Sequence, residues 1–185
     1  EAYQNFKKLL IAIQLIQISS PLAVFIPLNS SSMSKNVETI LIGLGFKPSF
    51  ESIDGIGISQ IWKRKSLLIL ISFNQFSSWA TWGEVGLATA GTATEQLVGL
   101  GVPCVSLPGT GPQFNFNFAK RQSRLLGGAV CLAEGYKTLA RKVEFLLNSE
   151  IDRYSIGLRG SKRMGPEGGS RSLAKMISTH LSRGS

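Results

Sequence analysis

Apolar positions along the chain change their period several times, and each change predicts an element. In residues 2–18, Phe6, Leu9, Leu10, Ile13, Leu15 and Ile16 recur at helical spacing, and Pro21 closes the segment. Leu22 to Leu28 is a nearly continuous apolar run of the kind found in strands buried on both faces. Helical spacing returns from Ser32 to Gly45, with Gly45 as the C-terminal stop. Residues 46–66 hold Gly55, Gly57 and the alternation Ile56, Ile58, Ile61 ahead of Trp62-Lys63-Arg64-Lys65, which predicts a connecting loop and an edge strand. Leu67 to Ser72 reads as a buried strand, Phe73 to Trp82 as a short helix and Val85 to Thr89 as a strand. Next come helix Thr92 to Leu100, strand Cys104 to Leu107, helix Phe114 to Leu126, strand Ala129 to Leu132 and helix Tyr136 to Leu147. The tail carries RGSKRMGPEGG (Arg159 to Gly169), too glycine-rich to be expected as helix, and then a last helix from Ser170 to Leu181.

Strands that alternate with helices predict an α/β fold, a Rossmann-like parallel sheet with helices on both faces. A chain of 185 residues favours one domain. Because the chain opens on Glu1 and runs straight into an apolar-periodic helix, the expectation is that it is clipped. Ligands of such sheets bind beyond the carboxyl ends of the strands, so the loops that follow strands are the ones to inspect.

The 20 Lys and Arg against 11 Asp and Glu, a formal net charge of +9, favour phosphate-bearing ligands or an anionic membrane surface. Most of the excess lies from Lys120 onward, without aromatic interleaving or zinc-finger spacing, which argues against nucleic acid. A solvated basic face is the alternative. Cys104 and Cys131 sit inside apolar strand runs and read as reduced core thiols. Gln14, Gln17 and Ser19 interrupt the first apolar run before it reaches membrane-spanning length.

Two loops follow strands with candidate chemistry. Val85 to Ala90 leads into Gly91-Thr92-Ala93-Thr94-Glu95-Gln96, a small-residue turn at a helix N-terminus, where free N–H groups and the helix dipole favour an anion such as a diphosphate. Thr92 and Glu95 also form a capping-box pattern, a purely structural reading. After the next strand, PGTGPQFNFNFAKRQ (Pro108 to Gln122) combines a restricted backbone with amide side chains suited to sugar hydroxyls. Phe114, Phe116 and Phe118 are expected to pack in the core rather than to stack on a base.

GTATEQLVGLGVP (Gly91 to Pro103) followed by PGTGPQFNFNFAKRQ resembles the donor-binding region of the lipid-A-disaccharide synthase family, and looks still more like the related glycosyltransferases of cyanobacteria. The tail RMGPEGGSRSLA (Arg163 to Ala174) looks like the closing segment of that related family. The likeness spans essentially the whole chain, and its specific part is residues 85–125 plus this tail. It implies one half of a GT-B glycosyltransferase: residues 1–185 as the C-terminal UDP-sugar-binding domain, lacking its first strand and the N-terminal acceptor domain. A Gly-Ser-Arg turn that contributes to the family's donor site would precede Glu1.

The resemblance further implies that Gly91, Thr92, Ala93 and Thr94 hold the diphosphate, and that the Pro112, Gln113, Phe114 loop approaches the sugar. The family's ribose-binding carboxylate falls at Gln96, with Glu95 one residue before it, so Gln96 is expected on the ribose if Glu95 caps the helix. No Asp-x-Asp pair stands in the chain, and a metal-independent transfer without cofactor is expected. His180, the sole histidine, reads as a surface residue, and Asp54 and Asp152 as structural acids, so the catalytic base would lie in the acceptor domain. The expected activity is transfer of a glucosamine-type unit from UDP to a lipid-linked acceptor, in the cytoplasm or at the inner face of the membrane. A UDP-N-acetylglucosamine 2-epimerase-like enzyme and a non-catalytic nucleotide- or polyanion-binding module are the rival readings.

Overall fold

The computed structural model describes residues 1–51, 53, 55–89, 91–109, 115–166 and 168–182. It is an α/β structure with two sheets. The first is mixed, in the order β1(Leu22–Leu28)-β4(Leu67–Phe73)-β3(Gln60–Arg64)-β2(Lys47–Ser49). The second is parallel, in the order β5(Gly86–Ala88)-β6(Cys104–Ser106)-β7(Val130–Leu132). Helix α1(Ala2–Ile13) packs on both sheets, with Leu10 and Ile13 in the core of the first and Ala12 in that of the second. Helix α2(Ser34–Gly43), entered through a 3-10 turn at Ser31–Met33, covers the first sheet through Val37 and Leu41.

The expected single parallel sheet is thus corrected. β1 and β4 pair in parallel, but β3 runs antiparallel to β4 and β2 antiparallel to β3. A long loop returns the chain to β4's neighbour position, where a direct hairpin, with Lys65 at φ 52, leads from β3 into β4. β3 was the expected edge strand, yet it is interior. The true edge is β2, whose sequence Lys-Pro-Ser shows no apolar alternation; Pro48, unable to donate a backbone bond, suits an edge. Behind it, Gln60 Nε2 donates to Glu38 Oε1 at 2.7 Å and Trp62 Nε1 to Gln60 Oε1 at 3.0 Å, tying α2 to β3. The bonds from Ser34 and Gln60 hold the Glu38 carboxyl below its usual range.

β5, β6 and β7 are joined by α4(Gly91–Gly99) and α5(Phe116–Leu125), and α6(Tyr136–Asn148) follows β7. α2, α4 and α5 end alike. After α4, Gly101 at φ 82 donates to Val98 O at 3.0 Å and Val102 donates to Leu97 O at 3.0 Å, the paired bonds of a Schellman motif. Each such turn feeds the chain into the next strand.

The tail departs most from expectation. Helix α7(Glu150–Met164) continues through Gly157 and Gly160 and into RGSKRM. It lies so close to its neighbours that a Cβ on Gly157 would fall 1.9 Å from Gly101 O, and one on Gly160 would fall 2.6 Å from Val98 Cγ1 and Ala129 Cβ. Close packing overrides the low helix propensity of glycine, which is about 1 kcal/mol per residue. Ser149 caps α7 by a reciprocal bond with Asp152, whose carboxylate accepts from Ser149 Oγ at 2.6 Å, so Asp152 is a structural acid as expected. Helix α8(Gly169–Ser182) carries exposed Leu173, Met176, Ile177 and Leu181. No helix among the described residues is long and apolar enough to cross a membrane.

Candidate functional site

α4, α5 and α6 each begin on the carboxyl side of the parallel sheet, because each is the next helix after a strand of that sheet. α4 starts at Gly91, one residue earlier than expected. Thr92 therefore lies inside the first turn and is not the cap, which corrects the Thr92–Glu95 capping box; the preceding Ala90 is outside the described residues. Thr94 is fully buried and joins Val98 on the face turned to the core. Thr92, Ala93 and Gln96 are exposed, and Glu95 is half-buried. The helix thus presents Thr92, Ala93 and Gln96 outward around its N-terminal turn, the end at which the helix dipole is positive.

Two side chains hold the carboxyl edge together. Ser106 Oγ donates to Ala88 O at 2.9 Å, and Gln122 Nε2 donates to Gly91 O at 3.2 Å. Gln122 is buried on α5, and its Oε1 has no partner among the described residues. From the sequence Gln122 is expected on the helix Phe114 to Leu126, at the end of the Pro108 to Gln122 motif, with no bonding role of its own. The available signal is that Ala119 and Gln122 on α5, with Leu126 just after it, form one buried stripe, an amide in line with apolar residues.

Among the described residues, a Cβ on Gly91 would meet nothing nearer than Gln122 Nε2 at 3.9 Å. Gly86, on the preceding strand, is the opposite case: its Cβ would fall 2.7 Å from Cys104 Sγ. Packing among the described residues is tight at 86 and leaves space at 91.

Pro112, Gln113 and Phe114, expected near the sugar, lie outside the described residues. Phe116 and Phe118 are 43% and 42% exposed, which corrects their expected place in the core. The cause is the start of α5: Asn115 Oδ1 caps it by accepting from Phe118 N at 3.0 Å, which turns both rings outward in the first turn. Phe116 lines a cavity of about 440 Å³ with Lys8, Pro108, Glu134 and Tyr136. α6 opens beside it at Gly135, which offers no side-chain cap.

His180 is on α8 and exposed. Cys104 is fully buried, and burial, followed by the neighbouring Cys131, pushes its thiol up to about 12. Burial also raises Cys131, against the opposing pull of Lys142 and Arg159. Both stay protonated thiols in the core near neutral pH, as expected from their strand runs. Among the described residues no group of His, Cys, Asp and Glu side chains is arranged to hold a metal. Among the described residues the carboxyl edge gathers the start of α4 and two carboxylates, Glu95 on α4 and Glu134 ahead of α6. Comparison of the chain with family models, with curated proteins and with solved structures finds no match.

Proposed function

We propose that this chain binds a UDP-activated glucosamine-type sugar, as the donor-binding half of a GT-B glycosyltransferase of the lipid-A-disaccharide-synthase kind. The observation that carries the reading is the N-terminus of α4: an outward first turn at the carboxyl edge of a parallel sheet, with space beside Gly91 among the described residues. The diphosphate lies against Gly91, Thr92 and Ala93. Buried Thr94 fixes the turn from below, and Gln96 takes the ribose hydroxyls. Stabilising the departing UDP is this half's contribution to transfer, with the base supplied by an acceptor domain. The acceptor is lipid-linked. In support, α8 presents Leu173, Met176, Ile177 and Leu181 on one face, near Arg171 and Lys175, a pattern suited to an anionic membrane surface.

Calorimetric titration of UDP into the 185-residue chain tests this. Saturable binding is expected, lost in Gly91→Val with the melting temperature kept, since the fold has room for the added side chain. No saturable binding, or equal binding by Gly91→Val, sinks the donor site. Binding that vanishes at moderate salt in both proteins identifies a generic polyanion surface instead.

A further inference from the structure

Exposed apolar side chains form rows on the last two helices. Elsewhere they stand more singly: Trp82, just beyond α3(Phe76–Ala80), leans edge-on against Phe25 with ring centroids 6.3 Å apart. On α7, Ile151 is 84% exposed and Tyr154 70%, and Leu158 and Lys162 continue the same row at helical spacing. The other side of α7 is fixed. Gly157 and Gly160 seat it so closely on Gly101, Val98 and Ala129 that the outward row cannot turn inward.

α8 has no inner side. Every side chain from Gly169 to Leu181 is exposed. Leu173, Met176, Ile177 and Leu181 recur at helical spacing on one face, with Arg171, Lys175 and Thr179 on the other. A helix of 14 residues is marginal in water by itself, so its stability calls for a surface that covers the apolar face.

Charge selects that surface. The last two turns of α7 and the first two of α8 expose Arg159, Lys162, Arg163, Arg171 and Lys175. Between Arg153 and Ser182 the sequence holds a single acid, Glu167. A second copy of this chain would bring the same cations face to face and leave them unpaired, which opposes association. An anionic bilayer supplies both parts. Hydrocarbon lies just below the headgroups for the apolar rows, and phosphates surround them for long cationic side chains reaching out from the polar face. Tyr154, an apolar ring with a polar tip, suits the same boundary.

We infer that the outer rows of α7 and α8 together form a dock for an anionic phospholipid bilayer, with α7 as the fixed platform and α8 lying in the plane of the headgroups. The purpose of such a dock rests on the lipid-linked acceptor of the proposed function, while its existence does not depend on UDP.

The test is flotation of the 185-residue chain with two kinds of vesicle, phosphatidylcholine alone and phosphatidylcholine with about one third phosphatidylglycerol. Hydrogen exchange at the α8 amides is read together with molecular mass. Binding to the anionic vesicles should be more than about 10-fold tighter than to the neutral ones, and should slow exchange from Leu173 to Leu181. Met176→Ser with Ile177→Ser on α8, and Ile151→Ser with Tyr154→Ser on α7, should each weaken it by more than about 10-fold. These four side chains are exposed, so the urea midpoint should stay in place. UDP titration of the same variants should match the parent, which separates failure of the dock from failure of the donor site. The proposal is overturned by absent binding, by equal binding to both kinds of vesicle, or by either serine pair binding like the parent. It is also overturned if the α8 amides are already protected in the free monomer, which would make α7 the cover of α8. Protection that comes only with a doubled mass would make that cover a second copy, and would overturn it too.

Discussion

The two sheets are packed differently. Around β1–β4 the core is made of bulk: Leu10, Ile13, Phe46, Trp62, Ile69 and Ile71 fill the space between the strands and α1 and α2. Around β5–β7 bulky side chains such as Leu107, Leu139 and Leu146 are joined by close approach of small ones. Ala12, Ala119, Ala129, Ala133 and Ala140 are buried there, and Gly86, Gly157 and Gly160 stand where a single added carbon would collide with a neighbour. The candidate site belongs to the second half. Short strands under tightly packed helices hold several helix N-termini in register at one edge, which a loop-borne site would achieve less well.

The first half should therefore suffer most from deletion and the second from addition. The largest effect is expected for Gly157→Val, because the contact it forces is with the Gly101 backbone, which cannot swing aside. A loss on the order of 4–5 kcal/mol, or failure to fold, should appear in urea unfolding. Ile69→Ala, a deletion at a fully buried site in the first sheet, should follow at about 3 kcal/mol. A Gly157→Val protein as stable as the parent would break the contrast.

Cys104 sharpens it at smaller magnitude. Its thiol ionises at about 12 in the folded protein against 9.0 for the free group. Below pH 9 both states keep the proton and stability is unaffected. Between pH 9 and 12 the unfolded chain releases it first, so stability falls by up to about 1.4 kcal/mol per pH unit. Urea unfolding at pH 8 and pH 10.5 should show a steeper alkaline loss in the parent than in Cys104→Ala. Parallel slopes would mean that the thiol reaches solvent.

The same contrast explains what was legible in the sequence. β1 and β4 show as apolar runs because both are seven residues long and made largely of bulky apolar side chains. The three-residue strands of the second sheet were found as short apolar runs between helices, and Gly45 marked the end of α2. The antiparallel insertion was missed because strand direction leaves no mark in hydrophobic period. α7 was not expected because the glycines of Arg159 to Gly169 were weighed by propensity, while the close packing of Gly157 and Gly160 is set by Gly101, Val98 and Ala129, all distant in sequence. At the site, the turn at Gly91 was readable from composition. The bond that anchors it, from Gln122, needed the fold to bring 31 residues of separation to 3.2 Å.

Gln122 supplies the smallest and most discriminating prediction. Its Nε2 satisfies Gly91 O, but its Oε1 is buried without a partner among the described residues, and an unsatisfied buried acceptor costs about 1–3 kcal/mol. If the amide served packing alone, an apolar residue of similar length would remove that penalty and roughly offset the lost bond. Gln122→Met should thus change stability by less than about 1 kcal/mol. On the donor-site reading the same substitution should still weaken UDP binding several-fold, because the carbonyl at the head of α4 loses its tether and the turn its fixed geometry. Calorimetric titration beside urea unfolding separates the two roles. Unchanged binding with unchanged stability would reduce Gln122 to a filler of the second core, and would leave Gly91 as the only residue of the pair with a claim on the ligand.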